Sequence, residues 1–119
     1  MKKLLFAVTT GALLLTACSK DEELILGTWH ATSILYNDTE VINSNASLTN
    51  VRTTFNADGT GTSESDASND SFTYHMEGDI LTAYVPGDTL EYTLVKLTVD
   101  ELQANVMIGP AHVEYFYEK

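Results

Sequence analysis

Cysteine, proline and positive charge are all scarce in this chain. One Cys in 119 residues excludes an internal disulfide framework and any zinc site built from paired cysteines. Two prolines and seven glycines leave no collagen-like or linker-like segment. Six basic residues against seventeen acidic ones give a net charge of -11. That balance excludes tracking of a phosphate backbone, which needs clustered Lys and Arg, so no nucleic-acid partner is expected. No apolar run reaches the roughly 18 residues that a membrane-crossing helix requires. No Gly-x-Ser-x-Gly elbow, phosphate loop or Gly-x-Gly-x-x-Gly turn is present. After Gly27 there is no helical stripe longer than two turns. What remains is a hydrophobic content of 44%, enough for one packed domain and too much for a wholly disordered chain.

The first residues read as an address. Met1-Lys2-Lys3 is a short positive start, and Leu4 to Leu15 is an apolar run without a polar face. Small residues Thr16 and Ala17 then precede Cys18. This is the order of a secretory signal peptide over residues 1–17. Leu15-Thr16-Ala17-Cys18 resembles the lipobox of bacterial lipoproteins. The resemblance implies diacylglyceryl transfer to the Cys18 sulfur, cleavage before it, and acylation of the new amine, as with palmitate. A thioether also removes a lone thiol from an oxidising compartment. Each buried CH₂ adds about 0.8 kcal/mol of membrane affinity, so several acyl chains anchor stably where one would not. Ser19-Lys20-Asp21-Glu22-Glu23 looks like the acidic export tag of Bacteroidetes surface lipoproteins. It implies an outer-membrane, cell-surface location. The same acids also suit a solvated spacer or the first turn of a helix. Residues 18–26 are thus read as lipidated Cys, acidic tether and a short plug, Leu24-Ile25-Leu26.

The remaining stretch, 27–119, reads as all-β. Short alternating runs separated by turn residues are expected at 28–36, 51–56, 60–64, 72–77, 80–85, 89–97, 102–108 and 112–118. Phe72, Tyr74 and Met76 share a face, as do Leu90, Tyr92 and Leu94; Leu102, Ala104, Val106 and Ile108; and Val113, Tyr115 and Tyr117. Eight such strands joined in sequence form a small antiparallel up-and-down barrel without sticky edges. In a meander, alternate connections fall at the same end. The long polar loops 37–50 and 65–71 therefore frame a mouth. The tight turns at 56–59, 78–79 and 98–101 form a floor, with the plug beside them.

Leu26-Gly27-Thr28-Trp29 resembles the Gly-x-Trp element of lipocalins. With Phe55 to Gly61, Tyr74, Gly78-Asp79 and the run from Leu90 to Thr98, the chain resembles the lipocalin-like lipoproteins of Bacteroidetes. That resemblance implies a barrel with the Trp packed near the floor. Lipocalins carry an Arg stacked over that Trp. Here Lys119 or Arg52 would have to replace it.

Candidate chemistry is sparse, no cofactor is expected, and the chain reads as a non-enzyme. His30, His75 and His112 lie on separate strands and are read as solvent-facing rather than as a metal site. Asn56 to Gly61 lacks the later ligands of a calcium loop and is read as a hairpin turn. Glu91 and Glu114 could meet across strands, but on a wet face. Asp88-Thr89-Leu90 resembles a short Bacteroidetes O-glycosylation motif, and equally a turn entering a strand. The interior candidates are Trp29, Phe55, Phe72, Tyr74, Tyr92, Tyr115 and Tyr117. An eight-stranded barrel is just wide enough to be filled by such rings or to hold one small ligand. Two functions follow. One is uptake of an apolar or amphipathic small molecule. The other is a filled barrel that docks a protein partner through its polar loops.

Overall fold

The computed structural model describes residues 22–119. The expected signal peptide, Cys18 and the first part of the expected acidic tether lie outside the described residues. The elements are β1 (Gly27–Tyr36), β2 (Thr39–Glu40), β3 (Arg52–Phe55), β4 (Thr60–Glu64), β5 (Asn69–Glu77), β6 (Ile80–Val85), β7 (Asp88–Leu97), β8 (Glu101–Ile108) and β9 (Ala111–Glu118). β1 pairs antiparallel with β3, the strands from β3 to β9 pair antiparallel in chain order, and β9 pairs back onto β1. The result is a closed eight-stranded barrel. The extra strand β2 is a short hairpin arm on the end of β1.

All eight expected strands are present. Two differences are informative. The segment 37–50 is not a plain loop: Asn37 and Asp38 both take positive φ, so a tight turn folds Thr39 and Glu40 back onto β1. Asx side chains tolerate that backbone region, which makes such a turn possible without glycine. The second difference is at 65–71. Strand β5 begins at Asn69, because Asn69 to Ser71 pair with Thr62 to Glu64. The polar composition there concealed a ladder.

Strand β1 is shared between two neighbours. Gly27 to His30 pair with β3, whereas His30 to Tyr36 pair with β9. The change of partner coincides with a bulge between Ala31 and Ser33. One extra residue reverses the inward parity. Trp29 faces in before the bulge, and Ile34 faces in after it, both almost wholly buried. A second bulge between Leu94 and Lys96 does the same in β7. It leaves Val95 exposed while Leu94 and Leu97 both pack against the core.

The floor is built around Trp29. Residues 22–25 form a single helical turn at the closed end, which takes in Leu24 and Ile25 of the expected plug but not Leu26. Ile25 is fully buried, and the Trp29 indole N–H donates to the Ile25 carbonyl at 2.8 Å. Phe55, Met76, Leu81 and Leu102 complete this cluster. Lys119 lies outside the plug, its Nζ 4.5 Å from the Trp29 ring centroid, and donates to the Leu24 carbonyl at 3.3 Å. Lys119 thus occupies the place that the resemblance assigned to an Arg. Arg52 does not. Its guanidinium faces Glu64 on the neighbouring strand at 3.2 Å.

The floor yields a prediction. Trp29→Ala should cost about 3–5 kcal/mol, from lost burial plus the cavity left behind. Lys119→Ala should cost far less, since the cation lies at the surface over the ring. Chemical denaturation of both variants measures the difference, and equal losses would contradict this picture of the floor.

Candidate functional site

The barrel interior above the floor is open. A cavity of about 740 Å³ lies between the floor cluster and the loops, within the range of small-molecule sites. Its wall is mainly apolar: Ile34, Phe55, Phe72, Leu81, Ala83 and Leu90 contribute side chains from five strands. Polar residues gather at the rim, where Ser63, Asn69, Asp70 and Ser71 stand at the facing ends of β4 and β5. This asymmetry follows from strand alternation. Inward positions are apolar along each strand, and the polar composition of the 65–71 region brings hydrophilic groups only to the mouth.

Five of the seven interior candidates line this cavity: Phe55, Phe72, Tyr92, Tyr115 and Tyr117. Trp29 and Tyr74 do not. Trp29 is sealed beneath the cavity as part of the floor. The Tyr74 hydroxyl reaches the floor-end turn and donates to the Asn56 carbonyl at 2.7 Å. That turn is the hairpin expected from Asn56 to Gly61. The Asp58 carboxylate accepts from the Thr60 hydroxyl at 2.6 Å and from its amide at 3.1 Å. These bonds, the hydroxyl's first, hold the Asp58 carboxyl below its ordinary value.

Phe72 shows how the sequence makes room. It packs edge-on against Phe55 at 5.7 Å, and its ring lies over Gly61, the residue opposite it on β4. A Cβ at Gly61 would come within 2.5 Å of that ring and 2.6 Å of the Thr54 carbonyl oxygen. Glycine is needed here for close approach rather than for an unusual φ.

The tyrosines form the polar part of the wall. Tyr117 stacks on Tyr115 with centroids 5.8 Å apart, and Tyr115 meets Tyr92 edge-on at 6.1 Å. Tyr117 lies deepest and shares a hydrogen bond with Thr53 at 3.3 Å. Burial pushes all three phenols above their ordinary value. They therefore stay neutral hydroxyls at any physiological pH.

The mouth is covered by residues 41–50. Their 3₁₀ turn, Ala46–Leu48, begins at Asn45, whose side chain accepts from the Ser47 amide. Ser47 and Leu48 line the main cavity on one side. On the other they line a second space of about 710 Å³, against Ile34, Tyr36, Val113 and Tyr115. The turn thus stands as a partition inside the mouth. It is fastened where β1 has no β3 partner. There the Glu40 carboxylate accepts from the Ser33 hydroxyl, from the Ile34 amide at 2.9 Å and from the Ile42 amide at 3.2 Å.

The three histidines lie on three different strands, away from the cavity lining. His112 sits near Glu114 at 3.9 Å and, with Asp38, places one ligand-type atom from each residue within 4.8 Å of the others. All three side chains are open to solvent to some degree, as is common in an acidic surface. Glu91 and Glu114 do not form a pair, because β8 runs between β7 and β9. Thr89 is exposed at the start of β7, where its amide bonds the Asp88 side chain at 2.8 Å. Sequence alternation found the ring-bearing wall. It missed the partition residues Ser47 and Leu48, which have no strand pattern around them, and the clasp at Glu40, which is a contact between loop and strand.

A family model described as a lipocalin-like domain matches residues 25–104, from the plug through the first half of β8. No curated protein and no solved structure matches the chain.

The Glu40 clasp can be tested through its charge. The hydrogen bonds from Ser33, then from the Ile34 amide, hold its carboxyl below the ordinary value of 4.5. Its stabilising effect is therefore complete above that ordinary value and is lost as pH falls through the lowered one. The Ile34 and Ile42 amide signals should titrate with a midpoint below that of exposed glutamates. Glu40→Gln should remove that titration and raise hydrogen exchange across residues 41–50, leaving the floor amides unchanged. Unaltered exchange in the variant would rule the clasp out.

Proposed function

Because the chain belongs to the lipocalin-like domain family, we propose that it is a binding protein whose barrel takes a small apolar or amphipathic molecule. The observation that carries this reading is the open, apolar-walled cavity of about 740 Å³ with a polar rim. A barrel filled by its own rings would have left the loops as the working surface. Here the rings stand around the space instead of across it. Burying an apolar ligand in such a site is favourable by roughly 25 cal/mol per Å² of area removed from water, before the cost of immobilising it. The protein acts by holding its ligand and not by catalysis. Among the described cavity residues the one carboxylate side chain is Asp70, at the rim.

We further propose that the barrel is tethered to the outer membrane at the cell surface through lipidated Cys18. The lipobox-like Leu15-Thr16-Ala17-Cys18 and the acidic run after it support this. Strand β1 starts at Gly27, so few residues separate the anchor from the floor. The plugged end then faces the membrane and the loop-covered mouth faces outward.

Two outcomes are expected. Leu90→Trp should narrow the cavity and weaken uptake of N-phenyl-1-naphthylamine, measured by fluorescence, while the far-ultraviolet spectrum keeps its β form. Uptake unchanged by this substitution would place binding elsewhere. Cys18→Ala should move the protein from the membrane fraction to the soluble fraction and stop incorporation of labelled palmitate. Retention at the membrane without label would remove the anchor proposal.

A further inference from the structure

The cavity has hydrogen-bond donors but no cation. Among the described residues its lining contains no Lys, Arg or His. Each of the three basic residues among the described ones is engaged elsewhere. Arg52 bonds Glu64 and the Asn50 carbonyl on the outer wall. Lys96 pairs with Glu101 at 2.5 Å. Lys119 lies under the floor against Trp29. The charged residue at the rim, Asp70, has the sign that repels an anion, as does the chain as a whole at -11.

The donors are the tyrosine hydroxyls, and they are not equivalent. Tyr117 is satisfied by Thr53. The hydroxyls of Tyr92 and Tyr115 have no hydrogen-bond partner among the described residues, yet both rings are largely enclosed and line the cavity. The two phenols are close enough that charge on Tyr115 would disfavour charge on Tyr92. They sit below Leu90, Ala83 and Val85, which line the route from the mouth. Both residues line the open cavity, so their hydroxyls are free to meet water or a ligand oxygen there.

We propose that the pocket selects an uncharged amphiphile, entering with its oxygen first. A hydroxyl or carbonyl oxygen on the ligand meets Tyr92 and Tyr115, and its apolar body lies toward Leu90 and the mouth. The inference rests on the ligand-binding reading above and narrows it. A carboxylate of the same chain length would lose its hydration and find no positive charge in return, which costs more than two neutral donors restore. A purely apolar molecule would leave both hydroxyls unpaired. The preferred class is therefore a neutral alcohol, ketone or ester with an apolar body.

The test uses displacement of N-phenyl-1-naphthylamine, an uncharged probe, by n-dodecanol, n-dodecanoate and n-dodecylamine at neutral pH. Dodecanol should displace the probe at a concentration at least tenfold below dodecanoate. Tyr92→Phe and Tyr115→Phe should each weaken dodecanol about fivefold once corrected for each variant's own probe affinity, the scale of one neutral hydrogen bond. Probe uptake with dodecanoate or dodecylamine equal to or better than dodecanol would overturn the selection of neutral ligands. So would phenylalanine variants that bind dodecanol normally. Absence of uptake of the probe and of every dodecyl compound would instead overturn the ligand-binding reading itself, and this inference with it.

Discussion

Closure of the sheet between β1 and β9 is the constraint on which the interior depends. Without that seam the same strands would form an open sheet with two unpaired edges and no enclosed space. The seam asks β1 to serve β3 with its first half and β9 with its second. It manages this by taking one extra residue between Ala31 and Ser33, which turns Trp29 into the floor and Ile34 into the upper wall. A strand of strict alternation could not place both inward. The bulge therefore sets where the plugged end stops and the cavity starts.

The two ends of the barrel are held by different physics. At the floor, a large indole is buried with its one polar group satisfied by the Ile25 carbonyl, a combination of packing and hydrogen bonding with little tolerance for change. At the mouth, the partition is fastened by hydrogen bonds to Glu40 and by half-buried Val41, Ile42 and Leu48, which pack against the upper cluster of Ile34, Val106 and Val113.

Much of the architecture was legible in the letters. Val113, Tyr115 and Tyr117, or Leu102, Ala104 and Val106, announce their face because a strand repeats every two residues. Gly78-Asp79 and Asp58-Gly59 announce the turns for local steric reasons. Other features were not legible. The bulges at Ala31/Ser33 and Leu94/Lys96 have no glycine or proline to mark them. They exist because both neighbours must stay in register. The arm β2 and the early start of β5 are polar sequences that became strands because an edge was available to pair with.

The sequence by itself determined the alternation, the turn positions and the number of barrel strands. These are local properties, fixed by side-chain period and backbone preference. Only the tertiary structure decided which aromatic rings surround a space and which are sealed away. Tyr74 and Tyr115 look alike in their strands, yet one bonds a floor turn and the other faces the cavity. The tertiary fold also decided that the interior stays open and free of positive charge. That follows from how far each strand tilts and where each basic side chain finds its acid, and both depend on residues distant in the chain.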